Sequence, residues 1–133
     1  MPSVFTRIID EELPAHFVWS DDLCVAFLSA NPLRAGHTLV VPRAEIDHWL
    51  DLDLETMSHL MEVAQRIGKA IQKAFEPTKV GLMVAGLEVA HVHLHVSPID
   101  SVHDLDFGNA ARDPDPAELE DAANRIRAAL EAT

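Results

Sequence analysis

Apolar positions recur along this chain in two periods, and the switches between them mark out the elements. Residues 16–20 and 23–29 read as two strands, with Val18, Val25, Phe27 and Leu28 suited to a half-buried sheet. Ser20-Asp21-Asp22 between them carries turn-forming residues, so the pair predicts a hairpin. Val4 to Asp10, ahead of it, predicts a short helical turn. Asn31-Pro32-Leu33-Arg34-Ala35-Gly36 is a loop by composition, and His37 to Val41 then predicts a strand stopped by Pro42. From Leu54 the period changes. Leu54, Met57, Leu60, Met61, Ala64, Ile67, Ile71 and Phe75 fall at helical spacing, with Asp53 as N-cap and Glu76-Pro77 as terminator. Lys79–Ala85 and Val89–Ser97 predict two more strands, joined through Gly86. Residues 104–113 are irregular and polar. The last element is a helix with Asp115 at N-cap, Pro116 at N1 and Glu118 at N3 as a capping box, and with Leu119, Ala122, Ala123, Ile126 and Leu130 on one face.

The order hairpin, strand, long helix, two strands, helix predicts an α+β domain with an antiparallel sheet and its helices on one side. The 133 residues suffice for one such domain with a core. A net charge of -12 repels phosphate backbones at long range and argues against nucleic-acid binding, while leaving room for a small anion held by local donors. The single cysteine, Cys24, lies in an apolar run and reads as a buried, inert thiol. The N-terminus lacks a signal-peptide pattern, and no run is long enough to span a membrane, so a cytoplasmic protein is expected. Trp19 and Trp49 read as packing or dimer residues, and the acidic run 51–55 as a solvated helix start favoured by the helix dipole.

Ala90-His91-Val92-His93-Leu94-His95-Val96 changes the picture. On a strand, side chains alternate, so the three histidines share one face and Val92, Leu94 and Val96 share the other, core-side face. The outer two lie roughly 13 Å apart along an extended chain, which argues against all three chelating one ion. Two of them with a fourth group remain compatible with a metal. Acid–base chemistry and covalent catalysis on phosphorus remain equally open. In the covalent reading, partly protonated neighbours lend positive character to an anion site. His37, opening the earlier strand, is available as a fourth ring.

Together with Asn31-Pro-Leu-Arg-Ala-Gly-His37-Thr-Leu-Val-Val-Pro42-Arg upstream, this triad resembles the histidine-triad (HIT) superfamily, in an atypical bacterial Hint-like form. The resemblance covers roughly residues 4–98, with 99–133 as a C-terminal loop and helix of the same single domain. It implies a HIT-like fold: a five-stranded antiparallel sheet with a long helix. It also implies a homodimer, a purine-nucleotide ligand and no cofactor. By position, His93 would be the nucleophile attacking the α-phosphorus of a nucleoside phosphoramidate or related phosphate. His95 would contact the phosphate and assist the leaving group, and His91 and His37 would complete the cluster. A non-catalytic nucleotide-binding module and a dinucleoside polyphosphate hydrolase are the alternatives.

The nucleotide-binding positions implied are Ser29, Asn31, Gly86, Leu87, Glu88 and Val89. Three of them depart from the family. Ser29 stands where Asp or Asn meets the ribose, and lacks bidentate reach. Leu87 and Glu88 stand where Gln and Ser or Thr are common; Leu87 cannot donate to a phosphate, and Glu88 must point away or pair with a base. Many bacterial members also carry a zinc site, and its positions here are Ser3, Thr6 and Glu45, so no metal is expected. Phe107-Gly108-Asn109 is placed to close over the site from the C-terminal side, and equally reads as an ordinary loop.

Overall fold

The computed structural model describes residues 2–132. A short helix α1 (Val4–Ile9) precedes the hairpin β1 (Phe17–Ser20) and β2 (Cys24–Leu28). Strand β3 (Thr38–Pro42), the long helix α2 (Leu54–Phe75), strands β4 (Lys79–Met83) and β5 (Leu94–Ile99) and helix α3 (Pro116–Glu131) follow. The sheet has five strands in the order β1-β2-β3-β5-β4, and every neighbouring pair is antiparallel.

Period-2 alternation sorts the sheet into two faces. Ala26, Val40, Val92, Leu94 and Val96 join Leu60, Ile67 and Ile71 of α2 and Ala123 and Ile126 of α3 in the main core. Val25, Phe27, Leu39 and Val41 point the other way and meet only Phe5 of α1 as a buried partner. The second face is thus thinly covered, and the histidines project from it. Asp53 caps α2 by accepting the Thr56 N–H, and Glu76 closes it in the left-handed region at φ 50°. In α3, Asp115 accepts from the Ala117 N–H behind Pro116.

Several strand limits differ from the sequence reading: β3 begins at Thr38 rather than His37, β4 ends at Met83 rather than Ala85, and β5 ends at Ile99 rather than Ser97. The last strand begins at Leu94, not Val89, so His91 and His93 lie in the segment leading into it. The cause is that its neighbours stop. β3 pairs with β5 only from Thr38–Val96 to Val40–Leu94, and β4 ends where Met83 pairs His95. Further along β3 stands Pro42, which has no N–H to give. Val92 N–H turns instead to the Ile46 carbonyl at 2.8 Å. Pro42 is itself the last residue of β3, opposite Cys24, rather than the residue just past its end.

The turn after β1 is held by Asp21. One carboxylate oxygen accepts the Leu23 and Cys24 N–H groups, and the other accepts Trp19 Nε1 at 2.7 Å and meets His59 Nε2 at 2.6 Å. Although burial opposes it, these bonds hold the carboxyl well below its usual range. Cys24 Sγ also lies within 4.8 Å of the ligand atoms of this pair. Burial, and then Asp21 beside it, push its thiol up to about 12, which fits the inert thiol expected. Ahead of β3, Gly36 has φ 98°, and a Cβ there would sit 2.7 Å from the Phe75 ring. Only glycine lets the loop bend into His37 this close to the end of α2.

Candidate functional site

Leu33, in the loop before β3, sets the site's protonation. Its backbone N–H donates to His37 Nδ1 at 3.0 Å, so that nitrogen must carry the lone pair. Burial, then the neighbouring His95 and His93 rings, lower the His37 pKa to about 3, so the ring is neutral near pH 7 and its proton sits on Nε2. Nε2 lies 2.9 Å from His95 Nδ1 and donates to it. His95, lowered to about 4 by burial and by His93, is neutral too, and its own proton is left on Nε2.

His93 has the opposite tautomer. Its Nδ1 lies 2.7 Å from the His91 carbonyl, which can only accept, so Nδ1 carries the proton and Nε2 the lone pair. Burial lowers its pKa; the bond to the His91 carbonyl and the Glu88 charge act the other way. No buried side-chain nitrogen or oxygen lacks a partner among the described residues. The Nε2 atoms of His93 and His95 have none, so both reach open space. The two rings stand 4.7 Å apart, centroid to centroid. One presents a lone pair and the other an N–H to the same cleft. Partial protonation is therefore not the source of attraction for an anion, contrary to the sequence reading: burial keeps the rings neutral, and their N–H dipoles remain.

His91 faces away from this opening. Its Nε2 donates to the Pro42 carbonyl at 2.8 Å, and its Nδ1 meets Ser3 Oγ at 2.7 Å. Ser3 N–H and the Thr6 hydroxyl each donate to Glu45 Oε1 at 2.6 Å. The positions that hold zinc in many bacterial members are thus tied here to one another and to His91. Two hydroxyls and a carboxylate already so engaged are poor zinc ligands, and the set does not fit the metal.

The cleft is a cavity of about 450 Å³, the size of a small-molecule site. His37, His93 and His95 line it with Ser29, Asn31, Glu88 and Val89. Gly86 and Leu87 do not: they line a neighbouring hollow with Trp49, where Leu87 is 94% exposed. Asn31 spends its amide on the fold, with Nδ2 donating to the Ala111 carbonyl at 3.0 Å. Ala111 N–H returns to the Pro32 carbonyl at 2.9 Å. These bonds strap the segment after Phe107 across the cleft mouth. Phe107 packs edge-on against His95 at 5.0 Å, so the segment does close over the site.

Sequence reasoning missed Arg112, which the strap brings to the cleft wall. It belongs to no motif, and only its place in the irregular stretch between triad and last helix hinted at a role.

Comparisons with known proteins find relatives of the sequence and of the fold. A family model described as HIT domain matches residues 10–102. An uncharacterized HIT-like protein of Borreliella burgdorferi is 36% identical over 102 residues, spanning 71% of this chain and 73% of that protein. A zinc-bound histidine triad family protein from Mycobacterium smegmatis superposes with a TM-score of 0.83 at 30% identity, over 97% of this chain and 93% of that one. A hypothetical histidine triad nucleotide-binding protein from Sulfolobus tokodaii gives a TM-score of 0.84 at 25% identity, over 96% and 91%. No helix among the described residues is long and apolar enough to cross a membrane.

The neutral histidines make a stability prediction. The pKa values of His37 and His95 fall from 6.5 in the unfolded reference to about 3 and about 4. The unfolded chain therefore binds more protons between those limits, and stability is lost as pH falls from 6.5. Thermal melts should show Tm dropping by about 5 °C or more on acidification through the upper part of that window, before carboxylates titrate. His95→Asn should flatten the slope. A Tm independent of pH there would contradict the assigned neutrality.

Proposed function

Because the chain belongs to the HIT-domain family, we propose that its cleft binds a purine nucleotide and cleaves the bond between α-phosphorus and leaving group through a nucleotidyl-histidine intermediate. The observation that carries this reading is the pairing of a free His93 lone pair with a His95 N–H on one cleft. His93 Nε2 attacks the α-phosphorus. A P–N bond forms, the bond to the leaving group breaks, and its electron pair departs with that group. The His95 Nε2–H donates to the phosphoryl oxygen or to the departing atom, supplying a proton where the leaving group is an amine. The imidazole of His93 becomes cationic in the adduct, and the His91 carbonyl on Nδ1–H and the Glu88 carboxylate favour that charge. Water then attacks phosphorus and gives its proton to His95 Nε2 where that atom gave one up, otherwise to solvent; the P–N bond breaks, and the nucleoside monophosphate leaves with His93 and His95 restored. Splitting one displacement into two is the gain of covalent catalysis.

Phe5, Leu39 and Val89 give the cleft an apolar wall suited to a base, and Ser29 beside Asn31 offers a hydroxyl to the ribose. Nucleoside phosphoramidates and dinucleoside polyphosphates both fit this chemistry. A homodimer fits the outer edge of the sheet. β4 ends the strand order, Leu82 on it is 46% exposed, and a hollow of about 420 Å³ lined by Met61, Gly68 and Val80 adjoins it. A second copy would cover that unpaired edge.

Two measurements test these readings. With adenosine phosphoramidate, intact mass after rapid quenching should show an AMP adduct on the parent and none on His93→Asn. AMP release should fall by about 10³-fold or more in that variant. Release at the parental rate would overturn the nucleophile assignment. In sedimentation, the parent should run as a dimer and Leu82→Lys as a folded monomer, and a monomeric parent would overturn the edge contact.

A further inference from the structure

In a chain of net charge -12, arginines are expected to be drawn into ion pairs. Arg7, Arg34 and Arg66 each pair with carboxylates, Arg43 bonds the Asp21 carbonyl, Arg125 covers the Phe75 ring, and Arg127 holds the Phe17 carbonyl and Glu120. Arg112 is the exception: among the described residues its guanidinium has no hydrogen bond, ion pair or ring contact. Yet its backbone is not loose. Ala111 beside it is fixed to Asn31 and Pro32 by bonds of 3.0 and 2.9 Å, and Asp113 after it turns the chain at φ 51° towards α3. Arg112 thus places an exposed, unpaired cation on a fixed backbone in the wall of the same cleft as His93 and His95.

The histidines do not need it for the α-phosphate, since the His95 N–H and the His93 lone pair already meet there. They are also neutral, so Arg112 is the only formal positive charge in the described cleft wall, with Glu88 the only carboxylate. A guanidinium presents a planar fork that matches phosphate and sulfate oxygens in bidentate fashion. Resting on the nucleotide reading above, we propose that Arg112 is a specificity-determining residue, and that the ligand of this cleft carries a second anionic group, phosphate or sulfate, beyond the α-phosphate. That group has two sources: the leaving group, as in a nucleoside diphosphate or phosphosulfate, or the sugar, as in a nucleoside bisphosphate. Ser29 makes the second source chemically consistent, because a neutral hydroxyl does not repel a sugar phosphate as a carboxylate would. Neutral-amine leaving groups gain nothing from Arg112.

Calorimetric titration with AMP, ADP, adenosine 2′,5′-bisphosphate and adenosine 3′,5′-bisphosphate tests this. At least one of the three doubly phosphorylated probes should bind about tenfold or more tighter than AMP. In Arg112→Gln the ratio to AMP should collapse towards one, and Arg112→Lys should restore it in part. Lys79→Gln, which removes an equal charge on β4 away from the cleft, should leave the ratio as in the parent. A preference for ADP places the anion on the leaving group, and one for a bisphosphate places it on the sugar. If AMP binds and every probe matches it within about twofold, or if Arg112→Gln keeps the preference, the assignment of Arg112 is wrong while the nucleotide reading stands. If neither AMP nor any probe binds, the nucleotide reading itself is wrong and the role of Arg112 falls with it.

Discussion

A backbone N–H aimed at one imidazole nitrogen fixes the chemistry of this cleft. Leu33 donates to His37 Nδ1, and every later proton position follows: His37 Nε2–H to His95 Nδ1, then His95 Nε2–H to the cleft. A second backbone group, the His91 carbonyl, sets His93 the other way round. Main-chain atoms cannot change their donor or acceptor character, so neighbouring rings of the same residue type are given opposite tasks. Burial then removes the alternative in which the rings charge, lowering His37, His93 and His95 together.

The fold serves that arrangement by keeping its two faces unequal. Val92, Leu94 and Val96 sink into the main core under α2, which holds the backbone of the triad rigid. The opposite face has only the small cluster around Phe5, whose ring meets His93 edge-on at 4.9 Å. Pro42 ends the neighbouring strand and leaves a carbonyl free for His91 Nε2. Ser3, Thr6 and Glu45 fasten the far side of His91 to α1 and to the segment after β3. Hydrogen bonds there hold the first histidine in place, while the second and third face the ligand.

Much of this was legible in the sequence because it rests on periodicity and punctuation. The helical spacing from Leu54 to Phe75, the Asp53 cap, the hairpin at Asp21 and the alternation around the histidines each depend on residues close in the chain. What escaped depends on contacts made at a distance. The true start of β5 is set by where β3 and β4 stop. Neutrality of the rings is set by burial, which pattern alone does not measure. Asn31 lines the cleft as expected of a ligand-facing position, and its amide also holds Ala111, eighty residues further on, a bond no local pattern signals. Arg112 belongs to no motif; what singles it out is that, among the described residues, it is the arginine without a partner in a strongly acidic protein. Gly86 and Leu87 line an adjoining hollow that shares Glu88 with the cleft, a placement set by the bend before β5.

Backbone groups fix opposite tautomers on two neutral histidines. Long-range proton–nitrogen correlation of the imidazole rings measures this directly in the free protein near neutral pH. The rings should be neutral, with the proton on Nδ1 of His93 and on Nε2 of His37 and His95. A proton on His93 Nε2, or a doubly protonated His95, would contradict it.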